Sequence, residues 1–172
     1  MFDLIIIGAG PAGITAALEA KRHGLSHLVL EKGLIGNTIY NYPVGLTVFS
    51  TTDELEISEG GLSPAREKPT REELLSYYVR IVLDNELNVQ TEENVVGVEK
   101  LSDHFRVVTD KGEYTSAAVL FAMGSMDYPR RINAKGEDLP KVHFQFRETY
   151  PWVKKRALIV GGGNSAGEAA LF

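Results

Sequence analysis

The feature that most constrains this chain is a glycine turn near its start, set between an apolar run and a helical pattern. Asp3 to Ile7 is short, apolar and β-branched, the signature of a buried parallel strand. Gly8-Ala-Gly10-Pro-Ala-Gly13 follows. From Pro11 to His23 the spacing turns helical, and Gly24 is suited to end the helix. Leu28 to Leu30 form a second apolar strand closed by Glu31, which lies 31 − 8 = 23 residues after Gly8. Strand, glycine turn, helix and strand make a βαβ unit, and a βαβ unit commits the chain to the α/β class with a parallel sheet.

The turn itself points to chemistry. In G-x-G-x-x-G the first glycine permits a tight turn, the second lets backbone approach a pyrophosphate, and the third lets helix and strand pack closely. The helix N-terminus offers free N–H groups and a partial positive charge to the phosphates. A carboxylate such as Glu31 at the end of the second strand can take the hydroxyls of an adenosine ribose and repels a 2′-phosphate. The motif alone does not separate nicotinamide from flavin dinucleotides.

The same unit begins twice. Leu4 to Leu18 laid over Ala157 to Leu171 matches identically at six of fifteen positions, including Gly8/Gly161 and Gly10/Gly163. Gly161-Gly-Gly163-Asn-Ser-Ala166 is thus a second fingerprint, and Arg156 to Val160 is its predicted strand. The second copy stops at Phe172, within its first helix, so the chain reads as a truncated two-domain protein. Two dinucleotide sites on one chain imply electrons passing between cofactors, most economically FAD in the first and a nicotinamide donor in the second. The residue that would choose between NAD and NADP is not reached.

Between the two turns, Lys32 to Lys68 reads as a long loop, the kind that is usually functional or flexible. Thr70 and Glu73 form a capping box ahead of an amphipathic helix running to about Glu86. Val95–Leu101, His104–Thr109 and Glu113–Met123 are predicted as an antiparallel meander, followed by a connector rich in proline and charge. The predicted fold is therefore a Rossmann-like FAD-binding domain, a parallel sheet plus an antiparallel β-meander, with the start of a second, NAD(P)-binding Rossmann domain. Residues 1–128 are assigned to the first domain, 129–154 to the connector and 155–172 to the second.

Composition narrows the function classes. Eighteen Lys plus Arg against twenty-three Asp plus Glu give a net charge of −5, without the basic footprint of a nucleic-acid binder. These 172 residues contain no cysteine, which excludes disulfides, thiolate zinc sites and thiol nucleophiles within them; no metal site is expected. No basic leader precedes the first apolar run and no apolar stretch is long enough to span a bilayer, so a cytoplasmic protein without a membrane partner is expected.

GAGPAG, Glu31, the meander ending in Ala122-Met-Gly124 and GGGNSA together resemble the thioredoxin-reductase-like pyridine nucleotide flavoproteins. LVLEKG (28 to 33), NTIYNYP (37 to 43), TVFSTTDELEIS (47 to 58), KPTREELLSYY (68 to 78) and GEDLPKVHF (136 to 144) resemble the bacillithiol disulfide reductase family more narrowly. The resemblance implies a split FAD domain with an inserted NADPH domain, and NADPH-dependent reduction of a small-molecule disulfide through FAD. By it Gly8, Gly10, Pro11, Ala12 and Gly13 would meet the FAD pyrophosphate, Glu31 the ribose, Lys32 its surroundings and the backbone near Val96 the adenine. Thr38, Phe49, Ser50 and Thr51 would lie toward the isoalloxazine, with Ala122 and Gly124 in the crossover. Gly161, Gly163, Asn164, Ser165 and Ala166 would hold the NADPH pyrophosphate. Catalytic residues are not identified, and a homo-oligomer stays open.

The chain also departs from that pattern. Ala12 stands where family members often carry cysteine, and neither a CxxC pair before the second glycine turn nor a cysteine pair after the first βαβ unit is present. Flavin-dependent monooxygenases are an alternative, but their signature needs glycine, three residues, then histidine, whereas six residues lie between Gly136 and His143. A non-catalytic dinucleotide-binding fragment is the other alternative. His143 and Glu148 form either an acid–base pair or an ordinary solvated stretch of the connector.

Overall fold

The protein, studied as a computed structural model, is described over residues 1–58 and 61–171. Its chain opens with β1 (Phe2–Ile7), α1 (Pro11–Arg22) and β2 (His27–Leu30), close to the predicted bounds. β1 pairs in parallel with β2, and Ile5, Ile6, Leu28 and Val29 are almost wholly buried. Each such side chain contributes about 1.5–3 kcal/mol when fully removed from water. α1 lays Ile14, Ala17 and Leu18 on the sheet, and it ends in a reversal at Gly24, whose φ of 70° suits glycine.

The segment between β2 and the next long helix contains two single turns of helix, α2 (Asn37–Tyr40) and α3 (Thr52–Leu55). It is pinned from below by α4 (Arg71–Asp84). The buried Tyr77 hydroxyl accepts the amides of Ile57 at 2.7 Å and Ser58 at 2.9 Å, and the Tyr78 hydroxyl donates to the Leu55 carbonyl. Val48 N–H donates to Pro69 O and Arg71 N–H to Leu46 O, tying the loop to the helix start. The capping box predicted at Thr70 and Glu73 forms.

After α4 a two-residue strand, β3 (Val89–Gln90), adds to β2, an element the sequence reading does not anticipate. β4 (Val95–Lys100), β5 (Phe105–Thr109) and β6 (Glu113–Phe121) form the meander. The six strands lie in the order β3-β2-β1-β6-β5-β4. β6 belongs to both halves. Its start pairs antiparallel with β5 and its end parallel with β1, and Ser116 at the junction is opposite both Phe105 and Phe2.

Two apolar clusters result, one on each face of the parallel strands. Ile6 and Val29 pack with Ile14, Leu74, Tyr78 and Val82 under the helices. Ile5, Ile7, Leu28 and Leu30 pack with Val107, and Val95, Val98 and Tyr114 border them beneath the meander. The result is a three-layer arrangement: helices, parallel sheet, meander.

Tyr128 to Thr149 contains no regular element, and a single 3₁₀ turn covers Tyr150–Trp152. The strand predicted at Arg156–Val160 does not form. No strand among the described residues lies beside it, and Leu158 and Val160 are exposed. Apolar β-branched content favours a strand only where a neighbouring strand can take its amides and carbonyls. The helix after it, α5 (Asn164–Leu171), is present, while Phe172 lies outside the described residues.

Candidate functional site

The first glycine turn sits at the carboxyl end of β1, between the ends of β2 and β6. Gly8 has φ 110°, and a Cβ there would lie 2.4 Å from the Ala122 carbonyl oxygen. A Cβ on Gly13 would lie 1.9 Å from the Gly8 carbonyl oxygen. Both positions are closed to any side chain by backbone. Gly10 differs: a Cβ there would meet nothing within 4 Å. It occupies the cap position of α1 in extended conformation, no side chain caps the helix, and Pro11 opens the first turn. The N-terminus of α1 is therefore an uncapped row of donors beside a space left open by a missing Cβ, a cradle for an anion.

Glu31 completes the turn. Only 7% exposed, its carboxylate accepts the Ala9 amide through Oε2 and the Gly33 amide through Oε1, each at 2.8 Å. Each oxygen keeps acceptor capacity for a further donor. The Glu31 amide donates to Gln90 O, and its carbonyl accepts Glu93 N–H, so β3 and the start of the meander fix the acid from behind. Gly36 N–H donates to Ala9 O at 2.9 Å, which seats α2, and the half-buried Thr38 in it, against the same turn.

The remaining predicted residues divide. Lys32 bonds Asp127 at 2.7 Å, and that hydrogen bond holds its ammonium above the usual lysine range. Ala122 N–H donates to Ile7 O, joining the end of β6 to that of β1, and Gly124 turns with φ 68° just beyond. Val96 is the extra residue of a bulge between the pairs Val95/Thr109 and Gly97/Val108. Its backbone is thereby left out of the ladder that its neighbours join. Phe49 is exposed, Ser50 is half-buried, and Thr51 caps α3 with its amide donating to Glu54.

The second glycine turn has its own geometry. Gly161 has φ 131°, the counterpart of Gly8 at 110°, and the helix begins at Asn164 as α1 begins at Pro11. Gly163 O accepts the amides of Ala166 and Gly167, and a Cβ on Gly161 would touch the Ala166 Cβ at 3.6 Å. Gly161, Gly163, Asn164 and Ser165 are exposed and Ala166 half-buried. The turn conformation is thus carried by its own residues even where the preceding strand is absent.

Several contacts escape sequence reasoning. Asp127 meets Lys32 across 95 residues of chain, a distance at which no spacing rule operates. Tyr40, on α2, lies under the guanidinium of Arg147 at 4.2 Å, and Arg147 O accepts Val44 N–H. The Arg147 hydrogen bond lowers the Tyr40 hydroxyl below the usual tyrosine range. The buried Arg71 donates to the Tyr40 carbonyl at 2.6 Å. His143 packs edge-on against Trp152, and Glu148 accepts the Thr149 and Tyr150 amides, so the considered acid–base pair is not the arrangement found.

Strand, glycine turn, uncapped helix and buried acid define a dinucleotide-binding chain of the α/β class. The chain belongs to the pyridine nucleotide-disulphide oxidoreductase family, whose model matches residues 5–172. It is 40% identical over 168 residues to the bacilliredoxin reductase Bdr of Bacillus subtilis strain 168, covering 97% of this chain and 52% of that protein. It is 30% identical to a ferredoxin–NADP reductase of Ignicoccus hospitalis, over 99% of this chain and 52% of the other. Among solved structures, the bacillithiol disulfide reductase Bdr from Staphylococcus aureus superposes with a TM-score of 0.94 at 38% identity, over 98% of this chain and 52% of that one. The chain spans about half the length of the relatives it matches. Among the described residues no helix is long and apolar enough to cross a membrane.

Proposed function

We propose that this chain is the FAD-binding part, and the opening of the NADPH-binding part, of a flavoprotein oxidoreductase that reduces a low-molecular-weight thiol disulfide. The observation that carries the reading is the cradle formed by the open space at Gly10, the uncapped start of α1 and the buried carboxylate of Glu31. It fits the pyrophosphate and ribose of a dinucleotide in shape and charge. The bacillithiol disulfide substrate is supported by the likeness to the bacillithiol disulfide reductase Bdr from Staphylococcus aureus, at 38% identity.

In this reading Gly10, Pro11, Ala12 and Gly13 hold the pyrophosphate, with Gly8 shaping the turn. Glu31 takes the ribose hydroxyls with its remaining lone pairs, and the bulged backbone at Val96 faces the adenine. Thr38, Phe49, Ser50 and Thr51 line the flavin end, and Ala122 and Gly124 carry the chain past it. Gly161, Gly163, Asn164, Ser165 and Ala166 hold the NADPH pyrophosphate. Residues 1–128, 129–154 and 155–172 are the FAD domain, connector and start of the nicotinamide domain. The chemistry FAD supplies when bound is the two-electron step between reduced nicotinamide and disulfide. No thiol within these 172 residues is available to relay it.

The test is spectroscopic. The full-length protein should purify yellow, and NADPH should bleach its flavin absorbance anaerobically, with colour returning on addition of bacillithiol disulfide. A colourless protein defeats the flavin assignment; bleaching without recovery by any small disulfide defeats the substrate assignment alone.

A further inference from the structure

Three strand ends meet at the glycine turn, and the outer two are joined above the middle one. β1 lies between β2 and β6, so the chain leaving β2 and the chain leaving β6 are separated by two inter-strand spacings, about 10 Å. Lys32 leaves the end of β2 and Asp127 follows the end of β6, yet the Lys32 ammonium and the Asp127 carboxylate lie 2.7 Å apart. Both arms start from fixed points. Glu31, immediately before Lys32, is held by its own amide, carbonyl and carboxylate. β6 is anchored to β1 by Ala122 N–H to Ile7 O, and the Gly124 turn, with φ 68°, then redirects the chain. Asp127 is the more covered partner, at 30% side-chain exposure against 45% for Lys32, and the Tyr128 ring stands 5.9 Å from the same ammonium.

We propose that Asp127 is a positioning residue of the dinucleotide site: paired with Lys32 across the carboxyl end of β1, it forms a latch that slows exchange of bound FAD. The inference rests on the FAD reading above and adds a residue and a kinetic role to it. A latch of this kind raises the barrier to release and entry together, leaving equilibrium affinity nearly unchanged. Being electrostatic and partly exposed, it also weakens as salt rises.

The experiment is flavin exchange in the full-length protein with FAD bound, followed by the activity that an excess of a second apoflavoenzyme gains as it captures the released flavin. Release from Asp127→Asn and Lys32→Met should be about twofold to fivefold faster than from the unaltered protein, the range one partly exposed ion pair supports. Added salt should speed release from the unaltered protein and leave both variants nearly unmoved. The charge-reversed double variant, Lys32→Asp with Asp127→Lys, should recover slow release. Release at the unaltered rate in Asp127→Asn, or acceleration that the charge reversal fails to correct, overturns the latch while leaving the FAD reading standing. An unaltered protein that carries no flavin overturns the FAD reading, and the latch with it.

Discussion

Glu31 Oε2 accepts the Ala9 amide at 2.8 Å, so the acid at the end of β2 is part of the glycine turn itself. Its second oxygen closes the Gly33 amide in the same way. Glu31→Ala therefore removes two acceptors from buried or half-buried N–H groups before any ligand is considered. The expected loss is about 1.5–3 kcal/mol of folding stability without flavin, read from denaturant unfolding of the flavin-free protein. A variant that binds flavin poorly yet unfolds at the unaltered midpoint would mean that Glu31 acts on the ligand only.

Two glycines of the motif, Gly13 and Gly10, should separate under substitution. Gly13→Ala drives a Cβ into the Gly8 carbonyl, where backbone cannot give way, and should cost about 3 kcal/mol or more. Gly10→Ala meets open space and should change stability by less than about 1 kcal/mol. Gly10→Val should leave the fold intact and abolish flavin retention. Unfolding curves and flavin content, measured on the same three preparations, decide it.

Tyr78 gives a pH signature. Burial, with lesser contributions from Tyr77 and Tyr42, pushes its hydroxyl up to about 12, whereas an unfolded chain releases that proton near about 10. Below the lower value both states hold the proton and the contribution is complete. As pH rises through the window up to about 12, only the unfolded state ionises, and stability falls. Tyr78→Phe should flatten the alkaline limb of stability against pH in that window. Parallel limbs for the two proteins would count against it.

At the start of α4 the Thr70 hydroxyl accepts the Glu73 amide at 3.3 Å, while Glu73 returns its carboxylate to the Thr70 amide at 2.8 Å. Thr70→Ala should cost about 1 kcal/mol. Because α4 anchors the segment ahead of it, the same change should raise hydrogen exchange at Ile57 and Ser58. Exchange confined to the first turn of α4 would show that the anchor is independent of the cap.

Residues 156–171 of the 172-residue chain should exchange their amides at close to unstructured rates. The exposed 156–163 stretch has no sheet partner among the described residues, and the eight residues of α5 fall short of the roughly 12–15 that an isolated helix needs. Slow exchange there would require a packing partner that the described residues do not supply.

Which of these features the sequence announces follows from how local each one is. The first βαβ unit, the α4 capping box and the meander are written in short-range periodicity and fall within a residue or two of their predicted bounds. β3 is missed because two residues carry no period. The predicted strand at Arg156–Val160 fails because an apolar run records suitability and says nothing of whether a neighbour is there to pair. Within the site, the glycines and Glu31 are legible from spacing, whereas the Lys32–Asp127 and Arg147–Tyr40 contacts depend on which strand ends and loops the topology brings side by side.

β1 has a long wait for its second neighbour. Its pairing with β2, Ile7 to Leu30, spans 30 − 7 = 23 residues, but the pairing of Ile7 with Phe121 spans 121 − 7 = 114 residues of chain. At ribosomal rates those residues take about 6 to 23 s to appear, during which one edge of the most apolar strand is bare. The nascent chain is thus most prone to intermolecular pairing in that interval, and β6, by covering the edge on arrival, ends it.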